Sequence, residues 1–194
     1  MEKQYKITLA SASPRRRELL GRLSFDFTIA EIKDIDETYP ADMPAQDVAP
    51  YLSRLKAQAY IESLDRDTIL ITADTVVILD NEVLGKPKDL DEARLMLHRL
   101  SGRIHQVVSG VSVATRNEIR TIDATTDVTF SQLSDDEIDY YVDTFRPLDK
   151  AGAYGIQEWI GCIGIKNIEG SYYNVMGLPL HRLYRLLSPL VGRT

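Results

Sequence analysis

The chain predicts an α/β domain built on a mixed, elongated central sheet flanked by helices, and three observations carry that prediction. Apolar, β-branched runs alternate with segments of helical spacing along the 194 residues. Two long strand-like runs, at residues 104–114 and 118–130, follow one another through a short Arg116-Asn117 link, which argues against a purely parallel, doubly wound sheet. No internal repeat, low-complexity tract or linker breaks this order, so residues 1–194 read as a single domain.

Each element has a local reason. Residues 7–9 are a short apolar strand, and Ser13 and Pro14 suit the N-cap and first position of the helix that follows. Residues 25–29 read as a second strand and the acidic, turn-rich residues 31–44 as a loop. Residues 45–64 read as one long amphipathic helix, with Val48, Leu52, Leu55, Ala59 and Tyr60 near helical spacing. Residues 68–79 are a strongly apolar strand interrupted by one acid, Asp74. Asp80-Asn81 turns this strand into Val83-Leu84. A helix over 89–100 is stopped by Ser101-Gly102. Ser134-Asp135-Asp136-Glu137 is a capping box opening a helix that runs to Thr144. A glycine-rich strand region over 159–169 and a closing helix over 180–187 complete the order.

Composition narrows the function. A formal charge of −6 and a pI near 5.1 argue against a general nucleic-acid binder, so basic residues act locally, on a small anion. No apolar run approaches the roughly 20 residues that span a bilayer, which argues against a membrane partner. The N-terminal residues lack a signal-peptide core, so a cytoplasmic location is expected. The single cysteine, Cys162, is expected as a small buried strand residue.

The stretch Ser11-Ala12-Ser13-Pro14-Arg15-Arg16-Arg17 is the most informative. It places hydroxyls, guanidinium groups and the backbone N–H groups of a helix start at one strand-to-helix turn. Such a turn favours an anion, phosphate above all; the plainer alternative is a capped helix with a solvated basic first turn. Asp74, inside an apolar strand, is costly to bury alone. It either holds a metal, acts as a base, accepts bonds from a nearby cation, or turns toward solvent at the strand end. Lys86, between Gly85 and Pro87, is placed to aim a point charge at a phosphate or to form an exposed turn. Glu37 offers a second carboxylate from the acidic loop, although a solvated loop charge is the plainer reading. Lys56 on the long helix reads as a surface lysine. The small residues of Ala151-Gly152-Ala153-Tyr154-Gly155-Ile156-Gln157 allow close approach to a flat ligand, with Gln157 free to read a base edge. There is no Walker loop, no GxGxxG, no nucleophile elbow and no zinc spacing among His98, His105 and His181, so the carboxylates are the candidates for proton and metal work.

Together these stretches resemble the Maf family of nucleoside triphosphate pyrophosphatases over nearly the whole chain. The resemblance rests on Ser11-x-Ser13-Pro14-Arg15-Arg16, Ala73-Asp74-Thr75-Val76-Val77, Gly85-Lys86-Pro87 and Leu100-Ser101-Gly102-x-x-His105-x-Val107. It continues through Asp149-Lys150-Ala151-Gly152-Ala153-Tyr154-Gly155-Ile156-Gln157, Gly170-Ser171-Tyr172 and Gly177-Leu178-Pro179-Leu180. It implies two lobes around a cleft, like the inosine triphosphate pyrophosphatases. It also implies metal-dependent cleavage of a nucleoside triphosphate to monophosphate and pyrophosphate, which clears non-canonical nucleotides. Asp74 matches the family's proposed proton acceptor, and Ser13, Arg16, Glu37, Lys56 and Lys86 match residues lining its catalytic cleft. Arg15, Thr75 and Gln157 match markers of the subgroup preferring dTTP and UTP. The expected cofactor is Mg²⁺ or Mn²⁺ on Asp74 and Glu37, and the expected assembly is a homodimer. Three positions depart from the family's usual pattern: Arg146 stands where an acid commonly precedes the proline, Ser109 replaces a frequent threonine, and Glu158 stands where glycine is common. The alternatives are a regulatory or interaction protein linked to septum formation and a nucleotidyltransferase using the same phosphate chemistry.

Overall fold

The computed structural model describes residues 5–192. Strand β1 (Lys6–Leu9) leads into helix α1 (Pro14–Gly21) and strand β2 (Phe27–Ile29). Helix α2 (Ala45–Gln58) and a 3-10 turn (Ile61–Ser63) precede the long strand β3 (Thr68–Leu79) and its short return β4 (Glu82–Leu84). Helix α3 (Leu90–Leu100), the long strands β5 (Ile104–Ala114) and β6 (Ile119–Phe130), and helix α4 (Asp135–Phe145) follow. A second 3-10 turn (Ala151–Ala153), α5 (Trp159–Gly164), β7 (Ile165–Glu169), α6 (Tyr172–Val175) and α7 (Leu180–Leu187) end the described chain.

The described strands form one sheet in the order β2-β1-β3-β5-β6-β7, with β4 also paired to β3. It is mixed, as expected. β1 runs parallel to β2 and β3, in a register that sets Leu9 opposite both Ile29 and Ile71. β4 returns antiparallel on β3 and β7 antiparallel on β6. The chain divides into two compact units: residues 5–74, 109–124 and 177–192 form the first, and residues 75–108 and 125–176 the second. Strands β3, β5 and β6 each contribute residues to both.

In the first unit, Leu9, Leu19, Leu20, Ile69 and Ile71 are fully buried. Helix α2 lies so close to β5 that a Cβ on Gly110 would sit 2.4 Å from the backbone of Ala49 and Pro50. Pro50 is inside α2, and Ser53 donates to the Pro50 carbonyl at 2.8 Å. Ser53 also pairs with Ser112, Ser112 pairs with Thr121, and Thr72 donates to the Ser53 carbonyl, so this buried polar seam is satisfied. In the second unit the core is built from Leu79, Leu97, Leu100, Phe130, Ile138 and Tyr141. Arg94 of α3 ties to Asp139 at 2.7 Å and Asp143 at 2.5 Å on α4.

Most boundaries follow the sequence reading, and the capping box at Ser134 is formed by both of its hydrogen bonds. Three expectations are corrected. The helix expected to reach residue 64 ends at Gln58, because Tyr60 swings into the core and gives its hydroxyl to the 31–33 loop. The second strand is shorter than expected, starting at Phe27 rather than Phe25. Residues 159–164 are a helix rather than a strand: Ile160 and Gly164, four apart, are the buried pair, which is a helical period. Cys162 therefore points outward and is exposed rather than buried. Among the described residues no helix is long and apolar enough to cross a membrane.

Candidate active site

The first unit carries most of the predicted residues. Strand β1 ends where the Ala10 N–H bonds the Ile71 carbonyl, and the chain then breaks away toward α1. Ser11 is buried, and its Oγ accepts the Ser13 N–H at 3.2 Å. Ser13 is extended, with φ −72° and ψ 117°, and its Oγ accepts the Arg16 N–H at 3.5 Å. Both serines therefore shape the turn, and part of the donor set expected to face an anion closes on the turn itself. Arg15 and Arg16 are half-buried and Arg17 is exposed.

Arg16 has a role that the sequence did not show. Its Nε donates to the Gly177 carbonyl and its Nη1 to the Ala73 carbonyl, both at 2.9 Å. One planar guanidinium thus fixes the residue preceding Asp74 and the entrance to α7. Burial lowers the Arg16 pKa from its ordinary value. Asp74 and Glu37 oppose that shift by their charge, and Arg15 reinforces it.

Asp74 lies in the middle of β3 with its side chain 15% exposed. The Lys56 ammonium, reaching from α2, stands 2.7 Å from Asp74 Oδ1 and 2.9 Å from Glu37 Oε2. Lys56 is therefore no surface lysine: it is 15% exposed and shared by two carboxylates. Among the open possibilities for Asp74, a bond from a nearby cation is what the side chains form. Glu37 belongs to a segment without regular structure, yet it is anchored. Tyr60 accepts the Lys33 N–H at 2.9 Å and donates to the Glu31 carbonyl at 3.0 Å. Lys33 Nζ donates to the Ala59 carbonyl at 2.6 Å, and Ile35 packs on the cluster of Tyr60, Leu64 and Leu70. No group of three or more His, Cys, Asp or Glu side chains placed for a metal ion occurs among the described residues, so the acidic donors here are the Asp74–Glu37 pair.

The second unit holds Thr75, Lys86 and Gln157. Thr75 is half-buried on β3, and Lys86 is exposed just beyond β4. The Gly85 carbonyl accepts the Gly152 N–H at 3.0 Å, so the lysine segment is docked on the 151–153 turn. Gly152 takes φ +66°, and a Cβ there would press to 2.9 Å from the Val77 side chain, so glycine is required on both counts. Gln157 is exposed at the edge of a cavity of about 520 Å³, whose wall includes Ile156, Lys166, Asn167 and Tyr172. Behind this segment His105 Nε2 and the Tyr154 hydroxyl pair at 2.7 Å, with the Phe130 ring edge-on to both. His105 Nδ1 is buried without a partner, and burial lowers the His105 pKa to about 4.

The family described as Maf-like protein matches residues 6–190. The chain belongs to the Maf family. A dTTP/UTP pyrophosphatase of Porphyromonas gingivalis is 55% identical over 188 residues, covering 96% of this chain and 94% of that protein. A dTTP/UTP pyrophosphatase of Phocaeicola vulgatus is 51% identical over 187 residues, covering 96% and 97%. Among solved structures, a HAM1 protein from Coxiella burnetii aligns with this Maf chain at a TM-score of 0.49 and 16% identity, over 96% of this chain and 100% of that one.

Proposed function

We propose that this Maf protein hydrolyses nucleoside triphosphates, dTTP and UTP preferentially, to the nucleoside monophosphate and pyrophosphate. The observation that carries the reading is the Asp74–Lys56–Glu37 cluster: two carboxylates meet on one ammonium, next to a strand clamped by Arg16. A preference for dTTP and UTP is supported by relatives that bear that name and are 55% and 51% identical over 94% and 97% of their length.

In this reading Asp74 accepts a proton from, or orients, the water that attacks the α-phosphorus. Lys56 holds Asp74 aligned through its 2.7 Å bond, and its charge offsets that of the triphosphate as it arrives. Ser13 and Arg15 meet phosphate oxygens at the head of α1, and Lys86 adds a point charge toward the leaving pyrophosphate. Thr75 and Gln157 face the nucleoside. Asp74 and Glu37 are the residues that would hold a divalent cation. The two carboxylates meet on the Lys56 ammonium, and as hard oxygen donors they are of the kind that suits Mg²⁺ or Mn²⁺, which take few protein carboxylates and complete their shell with water and phosphate oxygens. Such an ion, when bound, neutralises triphosphate charge and polarises the phosphoryl oxygen.

The test is a purified-protein screen over ATP, GTP, CTP, UTP, dTTP and 7-methyl-GTP, scoring pyrophosphate against orthophosphate. Pyrophosphate with UMP or dTMP is expected, and orthophosphate as the first product overturns the reaction. Asp74→Asn should lower turnover by about 10²–10⁴-fold while leaving the melting transition in place. Near-native turnover by that variant removes Asp74 from the chemistry.

A further inference from the structure

The segment presenting Gln157 is held by a polar frame that the hydrolysis itself does not use. The Glu158 N–H bonds the Gly155 carbonyl at 3.0 Å, closing a tight turn with Gln157 as its third residue. Glu158, the fourth, is pinned from two sides. The buried Tyr141 of α4 donates its hydroxyl to one carboxylate oxygen of Glu158, and the same hydroxyl accepts the Gly155 N–H at 3.1 Å. Lys150 Nζ stands 3.0 Å from the other Glu158 oxygen and 2.8 Å from Asp149. Lys150 is 8% and Glu158 21% exposed, so the pair is largely withdrawn from water.

These side chains close over Gly155. A Cβ at that position would lie 3.0 Å from Glu158 Cδ, 3.0 Å from Lys150 Cε and 3.2 Å from Gln157 Nε2. The Gln157 side chain therefore leaves from a turn whose inner side is filled by the Lys150–Glu158 pair. A largely buried ion pair contributes little to stability in itself but is costly to break, so it is suited to holding geometry. A uracil or thymine edge presents carbonyl acceptors on either side of an N–H donor, and a glutamine reads it only if its amide oxygen and nitrogen are the right way round.

We propose that Tyr141, Lys150 and Glu158 are positioning residues that hold the turn presenting Gln157 and thereby determine base preference. The proposal rests on the reading of Gln157 as the base-reading side chain. Its discriminating ligand pair is UTP against CTP, because the two bases have the same size and differ by exchange of donor and acceptor on the edge being read.

The experiment compares kcat/KM for UTP and CTP in the wild type, Gln157→Ala, Tyr141→Phe and Glu158→Gln. Tyr141→Phe keeps the ring and removes the hydroxyl, and Glu158→Gln keeps shape and a hydrogen-bond acceptor while removing the charge. If Tyr141→Phe does not fold, the partly exposed Glu158→Gln carries the test. The expected result is that Gln157→Ala and both frame variants reduce the UTP:CTP ratio by about fivefold or more, the worth of one well-made hydrogen bond, through KM for UTP and with kcat little changed. A reduced ratio in Gln157→Ala with a wild-type ratio in both frame variants overturns the proposal and leaves the frame as mere support. A wild-type ratio in Gln157→Ala overturns the base-reading role and this inference with it, while hydrolysis stands. Absence of pyrophosphate release from any triphosphate by the wild type marks failure of the functional reading itself.

Discussion

Acidification should destabilise this protein, and one identifiable contribution comes from His105. The residue is 2% exposed, and burial lowers its pKa from 6.5 to about 4. In the unfolded chain it titrates near 6.5. Above that pH both states hold it neutral and the fold keeps its full stability. As the pH falls, the unfolded chain takes up a proton that the folded chain refuses, so stability declines from about pH 6.5 down to about pH 4 and levels off below. At 1.36 kcal/mol per unit the whole window is worth about 3 kcal/mol, and about 2 kcal/mol of it is lost by pH 5. Carboxylates titrate at the lower end of the same range, so the comparison needs a variant. His105→Gln removes the titration while keeping a group able to bond the Tyr154 hydroxyl. Urea unfolding at pH 7, 6 and 5, followed by fluorescence of Trp159, should give the variant a lower stability at pH 7 but a flatter pH dependence. The difference in slope should amount to about 2 kcal/mol between pH 7 and 5. Parallel slopes for the two proteins would refute the argument that a buried neutral histidine backs the Tyr154–Gln157 segment.

Two other perturbations separate fold from function. Gly110→Ala should cost about 3 kcal/mol, because its Cβ meets the backbone of α2 and no side chain can yield; a denaturation midpoint equal to wild type would show that α2 is free to slide on β5. Lys86→Ala should leave the melting temperature almost unchanged, since the residue is exposed, yet raise KM for UTP about tenfold through loss of a charged hydrogen bond to phosphate. An unchanged KM would move Lys86 away from the polyphosphate.

Residues whose role is local were legible in advance. The Ser13 cap, Pro14 at the helix start, the Ser134 capping box and the run over 68–79 each follow from chemistry within four or five residues. The stretch over 159–164 was misread because six small and apolar residues carry no period, and only packing selected a helix. Lys56 was legible only through the family resemblance, not from its own surroundings. A lysine on an amphipathic helix is ordinarily solvated, and nothing within its own helix announces two carboxylates 18 and 19 residues away in the chain.

The sequence by itself determined the α/β class, the mixed sheet, the family, and which side chains bear charge in and near the family's motifs. Those properties depend on periodicity, on caps and on motifs spanning a few residues. Only the tertiary structure decided what each charge does. It gave Arg16 bonds to the Ala73 and Gly177 carbonyls, 57 and 161 residues away. It made Lys56 the shared partner of Asp74 and Glu37, and it fixed the turn that carries Gln157 through Tyr141, Lys150 and Glu158. Hydrogen bonds and ion pairs act over about 3 Å, and partners so far apart in sequence come within that reach only when the sheet has set its strands side by side.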